Sequence, residues 1–218
     1  MPIANIDDKR CEELYSAVVD RNPCVQLFQD LKYRFILPLP RDRKASLIDV
    51  GCAKGNFLRN LARRGYTDLS GLDLDNALYP DVAARVTFYR ESLTTPELDL
   101  GRRFRHVFVQ CMLHHLPAAS LTDAARNIAR LCEPGATLFI YEPNMASPVG
   151  RFFYFAFLRL FPAMHRNAME EKDAQMAFCK GWEGFRRSLE ALGFRPHRVS
   201  DWSFYKCYVA TFTPVAGA

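Results

Sequence analysis

Three groups of residues in this chain have the types and spacing to do chemistry. The first is "LIDVGCAKGNFLRNL", residues 47–61, where an apolar run meets Gly51 and Gly55 and a helical pattern begins at once. Glycine in such a turn permits a positive φ or a close backbone approach, and the helix that follows offers unpaired N–H groups. The second is Asp73, near the end of "LSGLDLD", where a carboxylate can accept hydrogen bonds from both hydroxyls of a ribose. The third is His114-His115, just beyond the apolar run "HVFVQCM". An imidazole near neutral pH suits removal of the proton from an attacking alcohol, whereas an amine or acidic phenol needs little such help. For either histidine alone, packing or capping of the loop is an equally good reading.

Asp49 decides which ligand the glycine turn would suit. A dinucleotide wants G-x-G-x-x-G around its pyrophosphate. Here the spacing is G-x-x-x-G, and Asp49 sits inside the end of the apolar run. Its charge would repel a pyrophosphate and attract a cationic sulfonium that also carries an ammonium group. A G-x-x-x-G turn by itself is weak evidence, because structural glycines between strand and helix are common.

The elements that must position these residues follow a repeated order. From residue 46 onward, short apolar runs (SLIDV, DLSGLDL, RVTFY, HVFVQCM, ATLFIYEP) alternate with helical stretches such as NFLRNLARRG and LTDAARNIARLCEPG. That order predicts a parallel sheet covered on both faces. The crossover between the runs at 69–74 and 85–89 is short and interrupted by Pro80. Residues 5–36 read as two amphipathic helices broken at Asn22-Pro23, and Pro143 to Lys180 reads as an insertion. WEGFRRSLEALGF is expected as a helix stopped at Gly193, and the segment after it as two strands joined by a tight turn. One domain over 1–218 is expected, with 1–40 as a helical cap and 143–180 as a lid.

Composition narrows the function classes. The formal charge is +5, and the local cluster Gly101 to His106 reads as a solvated loop rather than a phosphate site. No interleaved basic and aromatic surface or known reader module points to nucleic acid. Seven cysteines without a C-x-x-C pair indicate neither a disulfide framework nor a metal site, and fit a reducing cytoplasm. No run approaches the roughly 18 apolar residues of a membrane span.

Taken together, "LIDVGCAKGNFL", "LSGLDLD", "HVFVQCMLHHLP" and "ARLCEPGATLFIYEPN" resemble, in order and spacing, the motifs of class I S-adenosylmethionine (SAM)-dependent methyltransferases. The resemblance spans residues 46–142 strongly and the C-terminal "LEALGFRPHRVSDW" and "YVATF" more weakly. It implies a Rossmann-like α/β fold with a seven-stranded sheet, mostly parallel with one antiparallel strand, and helices on both faces. It further implies SAM as cofactor, with S-adenosylhomocysteine (SAH) as product. Asp49, Gly51, Cys52 and Gly55 would line its methionine end, Asp73 would hold the ribose, and Leu74 would press on the adenine. Gln110 would lie near the methionine moiety, and Ser92 and Leu93 would stand on the adenine side. Ser92 occupies the place of an acidic residue usual in the family, with Glu91 one position before it. Ala53 replaces the family's middle glycine, which is tolerable if its φ stays negative.

The expected acceptor is a small molecule or glycan-like compound, free or lipid-linked, methylated at oxygen with His114 or His115 as base. The other reading is a methyltransferase-like SAM-binding or regulatory partner without catalysis. The insertion "GRFFYFAFLRLFP" packs six aromatics into 13 residues. It is expected first as a lid and second as a contact with lipid or the membrane surface, through Phe152, Phe153, Phe155 and Phe157 flanked by Arg151 and Arg159.

Overall fold

The computed structural model describes Tyr33 and residues 39–160, 165–201, 203 and 205–215, without the side chains of 153, 157, 158, 160 and 165–171. The expected cap over 1–40 lies almost wholly outside the described residues. The element order is β1 (Leu47–Val50), α1 (Asn56–Arg63), β2 (Leu69–Asp73), α2 (Pro80–Ala83), β3 (Thr87–Arg90), β4 (Phe104–Gln110), α3 (Leu121–Leu131), β5 (Cys132–Pro143), α4 (Pro148–Leu160), α5 (His165–Ala191), β6 (Phe194–Ser200) and β7 (Tyr205–Phe212). Two 3-10 turns, Leu113–His115 and Ala118–Ser120, join β4 to α3.

The strands form one sheet in the order β3-β2-β1-β4-β5-β7-β6. β7 runs antiparallel to β5 and β6, and the remaining pairs are parallel. This is the Rossmann-like arrangement expected, with strand order reversing between β1 and β4. Ligands in such sheets bind beyond the carboxyl ends of the strands at that reversal.

Alternation along each strand explains why the runs are apolar throughout. Ile48, Val50, Val107, Val109, Leu138 and Ile140 join one core with α3 and with Phe178, Trp182 and Phe185 of α5. Leu47, Phe108, Phe139 and Tyr141 join a second core with Phe57, Leu58 and Leu61 of α1 and with Tyr33. Phe108 and Phe139 stack at 4.3 Å between centroids. With both faces covered, the inner strands β1, β4 and β5 want apolar residues on both sides, while the edge strands β3 and β6 are largely exposed and carry polar ones.

Three details differ from expectation. Pro80 does not interrupt the second crossover but starts its one-turn helix, where its missing N–H costs nothing. The helix before Gly193 is longer than its apolar pattern, beginning at His165. Residues 101–106 are not one solvated loop: Phe104 is fully buried, Arg102 pairs with Asp68 at 2.8 Å, and His106 belongs to β4.

His106 makes acid stability testable. Burial, and after it the neighbouring Arg105 charge, lowers its pKa from 6.5 to about 4. The unfolded chain then binds more protons between those values, so this contribution to stability is complete above 6.5 and is lost as pH falls through about 4. Thermal melts of His106→Gln should show a shallower decline across that window than the unaltered chain; parallel declines would mean other groups govern it.

Candidate active site

The turn after β1 is built by backbone geometry. Gly51 and Gly55 have φ of 76° and 78°, and the N–H groups of Gly51 and Cys52 both reach the Leu72 carbonyl of β2, at 2.8 and 3.2 Å. A Cβ at Gly51 would stand 2.4 Å from Met112 Cγ, and one at Gly55 would stand 2.8 Å from Val82. The room these glycines leave is thus filled by the protein's own side chains, not kept only for a ligand. Ala53 departs from expectation: its φ is 45°, in the left-handed region where a Cβ costs roughly 1–2 kcal/mol. Its N–H donates to Asp73 Oδ2 at 2.8 Å, a bond that holds the strained turn in place.

Asp73 closes β2 with its carboxylate already oriented. Oδ2 accepts from Ala53, Oδ1 accepts from Leu74 N–H at 2.7 Å, and each oxygen retains a lone pair for a further donor. Leu74 beside it is 62% exposed, an apolar platform at the strand end. Asp49 is buried in β1 between Gly71 and Phe108, on the face that Leu47 also takes. Cys52 turns its side chain inward, and a Cβ on Gly71 would meet its sulfur at 2.7 Å, so Cys52 faces the turn's exterior only with its backbone.

The remaining sequence candidates divide. Gln110 ends β4 half-buried at the same edge of the sheet. Ser92 Oγ is engaged with Thr94, at 2.8 Å to its hydroxyl and 3.1 Å to its N–H. Leu93 is buried in the core, and its carbonyl accepts from Asn127 Nδ2 at 2.7 Å. Any ligand contact by Leu93 is therefore a backbone one. Glu91, directly after β3, is exposed.

The two histidines have opposite surroundings. His114 has no exposed side-chain surface and its Nδ1 lies 2.6 Å from Glu142 Oε2, whereas His115 is exposed and its ring lies tilted by 36° against that of His114, with centroids 4.1 Å apart. Glu142, also fully buried, accepts from the N–H groups of Met112 and Leu113 at 2.9 Å each through its other oxygen. Cys111, at φ 52°, turns the chain so that these two donors converge. One carboxylate from the end of β5 thus fixes the whole loop after β4. A neutral imidazole that donates from Nδ1 to a carboxylate has Nε2 as its basic nitrogen.

Glu142 is the residue that sequence reasoning missed. Its signal was a carboxylate inside the otherwise apolar "LFIYEP". Tyr205 was missed too: burial holds its phenol well above the ordinary range, with Cys111 and Glu142 adding in the same direction. Asn144 of "EPN" ties the end of β5 to the β6–β7 connection, donating to the carbonyls of Asp201 and Ser203.

A family profile described as a methyltransferase domain matches residues 25–196. No curated protein sequence matches. Among solved structures, a protein of Methanococcus maripaludis assigned as an S-adenosyl-L-methionine-dependent methyltransferase is similar with a TM-score of 0.68 and 12% identity, covering 96% of this chain and 95% of its own. The N-methyltransferase NodS of Bradyrhizobium japonicum WM9, solved with SAH, aligns at 0.53 with 15% identity over 97% and 94%. A methyltransferase of Mesorhizobium loti aligns at 0.55 with 15% identity over 88% and 99%. At such identities these likenesses show the fold.

Proposed function

Because the chain belongs to the methyltransferase-domain family, we propose that it moves the methyl group of SAM to an oxygen of a small-molecule or glycan-like acceptor. The residues at the reversal point fit SAM: a carboxylate aimed from the end of β2, an exposed leucine beside it, and a buried acid at the end of β1. Asp73 would hold the ribose hydroxyls and Leu74 the adenine. Asp49 would attract the cationic methionine end, where the backbone of Gly51, Cys52 and Gly55 and the side chain of Gln110 also stand. When bound, SAM supplies an electrophilic methyl group on a sulfonium whose charge disappears on transfer.

The observation that carries the choice of oxygen is the hydrogen bond between Glu142 and His114. A base held in one tautomer by a buried acid matches what a hydroxyl of high pKa requires. In this reading His114, fully buried in this structure, is uncovered when the acceptor binds and takes its proton at Nε2, Glu142 positions the ring and stabilises the imidazolium that forms, and the His115 ring lies tilted against it. NodS is an N-methyltransferase, but an amine acceptor would leave this dyad without a task. The regulatory reading draws on the strain at Ala53 and on Ser92 in place of an acid. The orientation of Asp73 and the dyad speaks against it. A cytoplasmic location fits the absence of any disulfide among the described cysteines and of any membrane-spanning helix among the described residues.

The test is to incubate the protein with methyl-13C-labelled SAM and a metabolite extract of its source cells, then record the carbon spectrum of the product. A methoxyl resonance is expected. An N-methyl resonance as the main product would overturn the assignment to oxygen.

A further inference from the structure

Helix α4 turns part of its apolar surface outward. Val149, Phe152 and Phe155 are 42%, 69% and 47% exposed, and their three-residue spacing sets them along one stripe. Arg159 continues the stripe and Arg151 borders it, both exposed. Arg151 is held in place by Nη1 bonds to the carbonyls of Met145 and Ala146, and Lys172 of α5 lies 6.0 Å from the Phe155 ring. Between Pro143 and Met169 the sequence contains no Asp or Glu, while it contains Arg151, Arg159, His165 and Arg166. After Glu142 the next acidic residues in the sequence are Glu170 and Glu171, followed by Asp173, all on α5 and flanking Lys172.

Exposed aromatics framed by cations, in a segment without acids, match the interface of an anionic bilayer. Rings enter the boundary between headgroup and acyl chain, and each basic residue near the surface gains from the negative potential. We infer that α4 docks the protein on an anionic phospholipid surface, with Phe152 and Phe155 inserted and Arg151 and Arg159 against lipid phosphates. A second copy of the chain suits the patch less well. A two-fold contact centred there would gather Arg151 and Arg159 of both copies at one seam, with no carboxylate of α4 to pair with any of them. The inference does not depend on the acceptor, since vesicle binding and methyl transfer are read separately.

The full chain should be sedimented with vesicles of phosphatidylcholine alone and with vesicles containing about 30 mol% phosphatidylglycerol. Binding is expected to the anionic vesicles and to weaken in high salt. Phe152→Ser combined with Phe155→Ser should lower the partition coefficient by roughly tenfold or more, and Arg159→Gln by about fivefold. Unchanged SAM affinity in these variants would show that they remain folded. No binding to anionic vesicles would overturn the inference, and so would equal binding by the double phenylalanine variant. A dimer in sedimentation velocity that the double variant abolishes, without vesicle binding, would assign the patch to self-association instead.

Discussion

Asp73→Ala is expected to weaken SAM binding roughly ten- to a hundredfold while leaving the sheet intact. The side chain would supply charge-assisted hydrogen bonds to the ribose, each class worth about 1.5–3 kcal/mol, and a loss of that size corresponds to this range. A second effect acts in the same direction. Asp73 Oδ2 accepts the Ala53 N–H in the strained turn, so without the carboxylate Ala53 has less reason to stay left-handed and the methionine end of the site loses its shape. Asp73→Asn separates the two contributions. An amide oxygen can still receive one of the backbone N–H groups but carries no charge, so its affinity should fall between those of the unaltered chain and Asp73→Ala. Unchanged affinity in both variants, measured by calorimetry, would mean that the ribose is held elsewhere.

The second large effect belongs to His114. His114→Ala should lower turnover by roughly 10²- to 10⁴-fold, the span that a positioned general base contributes, with SAM affinity nearly unaltered. His115→Ala should have a much smaller effect, since that ring is exposed and only lies tilted against His114. Glu142→Gln tests positioning without emptying the core: its amide oxygen can still take the Met112 and Leu113 N–H groups, but its amide nitrogen cannot accept from His114 Nδ1. Turnover should fall while SAM affinity stays nearly unaltered, because the ring loses the carboxylate that positions it. Glu142→Ala is not the informative variant. It would leave three buried donors unpaired at roughly 1–3 kcal/mol each, enough to threaten the fold. Full turnover in His114→Ala would mean that the acceptor needs no base at this position.

The parts of this site that could be read from the sequence are those encoded over a few neighbouring residues. The glycine turn, the acid closing β2 and the order of short apolar runs and helical stretches are each spelled out over a few neighbouring residues. Asp73 closes β2, whereas Asp49 interrupts the apolar run of β1 one residue before its end. What escaped was set by contacts across the sheet. Glu142 meets His114 only because β4 and β5 are neighbours, and nothing near His114 in the sequence announces a buried partner 28 residues away. The same pairing tells the two adjacent histidines apart, which composition cannot do. The φ of Ala53 depends on Asp73 in the next strand, so an alanine that looked compatible with a relaxed turn proves to be strained. In α4 the aromatics nearly encircle the helix in sequence, and which of them face outward is decided by packing against the rest of the chain.

The central claim is that the carboxyl ends of β1, β2 and β4 hold SAM. Calorimetric titration of the full chain with SAM tests it most directly. Saturable binding of one SAM per chain, competed by SAH, is the predicted result. No heat of binding at millimolar ligand, about a thousandfold above a micromolar affinity, would contradict it.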